Sequence, residues 1–63
     1  MKFTLNIECD NAAFTGDIDD SRNDETARIL REIAKQLDAG YVKGFAFDLN
    51  GNRVGTYNFH EEA

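Results

Sequence analysis

From Lys2 to Cys9 apolar and polar residues alternate without a break, Phe3, Leu5, Ile7 and Cys9 against Lys2, Thr4, Asn6 and Glu8. Successive side chains of a strand point to opposite faces, so this stretch predicts a β-strand with one buried and one wet face. The period changes at residues 24–38, DETARILREIAKQLD. At about 100° per residue Thr26, Ile29, Leu30, Ile33, Ala34 and Leu37 share one arc of a helix, with Ala27 at its border. Glu25, Arg28, Arg31, Glu32, Lys35 and Gln36 fill the other arc. Acidic residues at the start and Lys35 near the end suit the helix dipole. Ser21 with Asp24 resembles a capping box, Asn23 and Asp24 compete as caps, and Gly40 is the natural stop.

The third pattern is a hairpin around DLNGNRVG, residues 48–55. A two-residue Asn50-Gly51 loop would put Phe47 opposite Val54 and separate the aromatic residues of the two strands. A type I turn starting at Asp48, with Gly51 left-handed in a bulge, pairs Asp48 with Asn52, Phe47 with Arg53 and Phe45 with Gly55. That register collects Phe45, Phe47, Tyr57 and Phe59 on one face and Ala46, Val54, Thr56 and Asn58 on the other. A one-residue slip would split the aromatic set, so the bulged turn is the expectation. The element order is then β-α-β-β. It predicts an α+β fold of two layers, a three-stranded antiparallel sheet of order 2-3-1 whose aromatic face is covered by the single helix.

Length constrains how such a fold is held together. Sixty-three residues make one domain, 1–63, and a chain this short buries only about 60% of the surface its unfolded form exposes. Cys9 is the sole cysteine, which excludes an internal disulfide. Tight packing or association into a homodimer remains as the source of stability. No run of about 18 apolar residues and no charged-then-apolar leader is present, which points to a cytoplasmic protein without a membrane span.

The net charge is −5, and it is uneven. Residues 8–25 hold seven of the twelve acidic residues and one of the seven basic ones. Such a segment attracts basic protein surfaces and repels nucleic acid.

Candidate chemistry is sparse. Asp48, Asn50 and Asn52 have the spacing of the first calcium-loop ligands, but Arg53 occupies the glycine position and Phe59 that of the bidentate glutamate. Asp17, Asp19 and Ser21 repeat the spacing, with Arg22 and Arg28 where glycine and glutamate are needed. His60 is the only histidine and lies near the chain end. Ser21 and Cys9 have no neighbouring base in sequence, and Cys9 by parity belongs to the buried face as a small hydrophobe. No phosphate-cradling glycine loop occurs. The expectation is no enzyme, no catalytic residue, no cofactor and no metal.

Arg28, Arg31 and Lys35 form a basic stripe on the outer helix face. Glu32 sits among them, the chain is acidic overall, and no exposed aromatics are expected beside them for base stacking, which argues against nucleic acid. The sheet face away from the helix is expected to offer Thr4, Asn6, Ala46, Val54, Thr56 and Asn58, a flat polar surface. Phe14 and Ile18 either fold under the core's edge or, for Phe14, stand exposed as an anchor for a partner.

MKFTLNIECDNAAF, ARILREIAKQL and DLNGNRVG, matched in order over most of the chain, resemble a group of small bacteriophage, prophage and actinobacterial-type proteins to which no activity is assigned. The resemblance implies an accessory role in a mobile element. The function expected is a small non-enzymatic protein-binding module that offers Asp17, Asp19, Asp20 and Asp24 to a basic partner, with Phe14 as anchor. Two alternatives stand beside it: an acidic mimic of nucleic acid that blocks a DNA-binding enzyme, and a weak nucleic-acid binder through Arg28, Arg31 and Lys35.

Overall fold

The computed structural model describes residues 1–10, 14 and 22–61. Within them the order β-α-β-β is present as β1 (Lys2–Ile7), α1 (Arg22–Asp38), β2 (Lys43–Phe47) and β3 (Arg53–His60). The strands form one antiparallel sheet in the order β1-β3-β2, the 2-3-1 arrangement. The helix packs on one face of it. Its C-terminus closes as a Schellman motif: Gly40 N donates to Leu37 O and Tyr41 N to Gln36 O, with Gly40 at φ 101°.

The turn between β2 and β3 is the bulged one. Gly51 N donates to Asp48 O at 3.0 Å, Asp48 N to Asn52 O at 2.9 Å, and Gly51 adopts φ 85°. The Asp48 carboxylate accepts from the backbone N–H of Asn50 at 2.9 Å and of Asn52 at 2.8 Å, and from Asn52 Nδ2 at 3.1 Å. Buried oxygens satisfied in this way are the work of a turn. Phe47 pairs with Arg53, as the sequence predicts.

One residue further along, the register departs from prediction. Ala46, not Phe45, pairs with Gly55, and Phe45 pairs with Thr56. The ladder is irregular between Ala46 and Phe47, where Val54 is the extra residue of a second bulge. The shift exchanges the faces of β2. Ala46 and Gly44 lie on the helix side with Tyr57, while Phe45 and Phe47 point the other way with Thr56. The four aromatics are therefore divided between the two faces, against the expectation of a single aromatic side.

Gly55 follows the bulge in β3 and lies where β1 comes closest. A Cβ at this position would collide with the Asn6 carbonyl oxygen of β1. Such close approach of two backbones is a recognised reason for glycine inside a strand.

The core consists of Phe14, Ile29, Ile33, Ala46, Val54 and Tyr57, with Leu5, Ile7, Cys9 and Leu37 packed at its edge. The helix is rolled by roughly 60° from the arc its apolar residues define, counting 100° per residue. Glu25 is buried and Gln36 half-buried, while Leu30 and Ala34 are exposed. Two polar contacts explain the roll. Gln36 Oε1 accepts from the Tyr57 hydroxyl at 2.5 Å, so the largest ring of the core keeps a partner. Glu25, expected on the wet arc, accepts from Arg28 Nε at 2.6 Å and from Leu49 N at 2.7 Å. Arg28 Nη2 reaches the Phe47 carbonyl at 3.1 Å. Glu25 and Arg28 thus bind the first turns of α1 to the β2–β3 turn. The Arg28 hydrogen bond is the main reason the Glu25 carboxyl titrates below its ordinary value; burial opposes it, and the Leu49 N–H assists.

Candidate recognition surface

β2 and β3 present their second faces to solvent because the helix occupies the first. By register Thr4 and Asn6 of β1, Thr56 and Asn58 of β3, and Lys43 and Phe45 of β2 share that open face. Lys2 joins them opposite His60. Thr4 Oγ1 and His60 Nε2 are 2.8 Å apart, a cross-strand hydrogen bond at one end of the face.

The other end holds the aromatic group. Phe45 and Phe47 are 46% and 50% exposed, although Ala46 between them is 2% exposed. Their ring centroids are 6.5 Å apart in an edge-to-face arrangement. The Arg53 guanidinium carbon lies 4.8 Å from the Phe45 centroid, within cation–π range. A guanidinium on a ring offers its outer plane for further stacking, and its N–H groups remain turned towards solvent partners.

Charge on this face runs against the rest of the molecule. Shallow depressions across it are lined by Thr4, Lys43, Phe45, Asn58 and His60, and by Asn6, Arg53 and Thr56 with Glu8 at their margin. Lys2, Lys43 and Arg53 are three of the seven basic residues in a chain of net charge −5. Among the described residues Glu8 is the one carboxylate lining those depressions.

The residues singled out in the sequence are placed elsewhere. Phe14 has no exposed surface and sits in the core, so it closes the core rather than standing out as an anchor. Asp24 is exposed in the first turn of α1. Asp17, Asp19 and Asp20 lie outside the described residues, as do Ser21 and Ile18. Of the helix stripe, Arg28 is held by Glu25 and Phe47 O, and Lys35 lies 3.5 Å from Glu32. Cys9 Sγ is 3.8 Å from Ile7 O and from Thr26 Oγ1, at the edge of the core. Among the described residues no group of three or more His, Cys, Asp or Glu could hold a metal ion, and no helix is long and apolar enough to cross a membrane.

Phe45, Phe47, Lys43 and Arg53 escaped prediction as surface residues because one unseen bulge reversed β2. No protein family, curated protein or solved structure matches this chain.

Proposed function

We propose that the protein is a small non-enzymatic binding module whose recognition surface is the open face of the sheet. One observation carries this reading. Phe45 and Phe47 are about half exposed on a face that no described element covers, while the alanine between them fills the core. Burying a phenylalanine is worth roughly 1.5–3 kcal/mol, and two rings side by side on the wet face forgo much of that gain. Large apolar groups clustered on one face and rimmed by polar ones are the usual mark of an interaction site. The acidic segment is left without its aromatic anchor, since Phe14 belongs to the core.

The reading is tested by stability. Phe45→Ser and Phe47→Ser, measured by urea unfolding, should each cost no more than about 1 kcal/mol, since about half of each ring is already in water. A loss of about 2 kcal/mol in either would assign the rings to the fold and remove the reason for a partner here.

A further inference from the structure

We infer that the open sheet face binds single-stranded nucleic acid. This rests on the face being the recognition surface, and it adds the chemical class of the occupant. A second copy of the chain fits less well. Face-to-face pairing about a two-fold axis would bring Lys2, Lys43 and Arg53 of both copies into one interface with little to neutralise them. A polyanion meets those cations favourably, and the protein's overall negative charge is screened beyond about 8 Å at physiological ionic strength. Charge complementarity therefore selects an anion, and the rings select one with flat apolar groups.

Single strands have both. Non-specific binders combine cations that follow the backbone with aromatic rings on which bases stack. Phe47 offers a half-exposed ring, and the Arg53–Phe45 pair offers a guanidinium plane backed by a ring 4.8 Å away. Bases stack on such planes as they do on aromatic side chains. Thr4, Asn6, Thr56 and Asn58 between the cations supply donors and acceptors for sugar and base edges. A duplex keeps its bases stacked on each other, so these rings have nothing to receive from it.

Fluorescence anisotropy of the intact protein with a labelled oligothymidine of about twelve nucleotides tests this. Three phosphate contacts predict a log–log salt slope of about −2, taking about 0.7 per contact for single strands. Phe47→Ser should weaken binding about tenfold, and Lys43→Glu with Arg53→Glu should abolish it at moderate salt. Arg31→Glu, on the opposite side of the molecule, should leave it unchanged. Binding of a duplex of equal length should be weaker than that of the single strand.

Absence of binding at about 20 mM salt would overturn the proposal. Loss of binding in Arg31→Glu with Phe47→Ser unaffected would also overturn it, in favour of the helix stripe. Sedimentation showing a dimer that Phe45→Ser and Phe47→Ser dissociate would overturn it in favour of a second copy. The first two results leave the stability test of the open face standing, so failure of the ligand and failure of the surface are separable. For a dimer the same test is read from its dependence on protein concentration, since association adds to apparent stability and a monomer's does not change with concentration.

Discussion

The two faces of the sheet invert the usual relation between size and burial. The covered face puts Ala46, Val54 and Tyr57 beneath Ile29 and Ile33, and its largest ring carries a hydroxyl that must be satisfied by Gln36. The open face keeps Phe45 and Phe47, two rings with no polar atom to satisfy, in contact with water. Hydrophobicity alone would have sorted these residues the other way. Local geometry decided instead: a bulge at Val54 shifted the pairing by one, and a period of two turned that shift into a reversal of faces. Gly44 shows what the covered face requires, since a Cβ there would meet the Tyr57 ring and Gln36 Oε1 at 3.0 Å or less. Small residues on β2 make the room in which Tyr57 and the helix approach.

The contrast breaks most severely at Ala46. Ala46→Phe forces a ring into a position 2% exposed beneath the helix, and overpacking a filled core typically costs about 1–3 kcal/mol, more when the backbone has to move. We expect about 3 kcal/mol by urea unfolding, or loss of the folded state altogether. A stable Ala46→Phe variant would mean that β2 can turn over and bury Phe45 and Phe47, and that the division between the faces is not fixed by the sequence.

Much of this arrangement is legible in the sequence. The unbroken alternation of β1, the helix ending at Gly40 and the Asp48–Gly51 turn each leave a strong local mark, because each depends on residues adjacent in the chain. The bulge at Val54 does not. It shows only in the pairing of β2 with β3, and an isolated strand glycine such as Gly55 is compatible with several causes. The roll of the helix was illegible for a related reason. Glu25 and Gln36 are polar, so the helical pattern assigns them to water; only Leu49 N–H and the Tyr57 hydroxyl, distant in sequence, make their burial favourable. The candidate surface inherits the error of register, because the predicted pairing places Phe45 and Phe47 under the helix.

A smaller effect is expected at Glu25, which ties the helix to the turn beside Phe47. Glu25→Gln removes the charge facing Arg28 while keeping an acceptor for Leu49 N–H, and should cost about 1.5 kcal/mol, the scale of a hydrogen bond to a charged group. The folded-state pKa is lowered, so the stabilisation is complete above the unfolded value of 4.5 and disappears as pH falls through the lowered one. Urea midpoints should therefore differ most between wild type and variant near neutral pH and converge in strong acid. Equal midpoints near neutral pH would mean that the charge on Glu25 adds nothing to what holds the helix on the covered face.

The smallest effect belongs to the open face, at Thr4. Its hydroxyl lies 2.8 Å from His60 Nε2, and both side chains have access to water, which can replace each partner at little cost. Valine keeps the branched shape that suits a strand, so Thr4→Val should change stability by less than about 0.5 kcal/mol in either direction. Thermal and urea unfolding of the variant give the number directly. A larger loss would make the Thr4–His60 pair a clasp between the ends of β1 and β3, and the open face would then share in stabilising the sheet. A negligible change, together with neutral outcomes at Phe45 and Phe47, would leave that face energetically idle in the free protein along its whole length, which is the condition a surface shaped for a ligand has to meet.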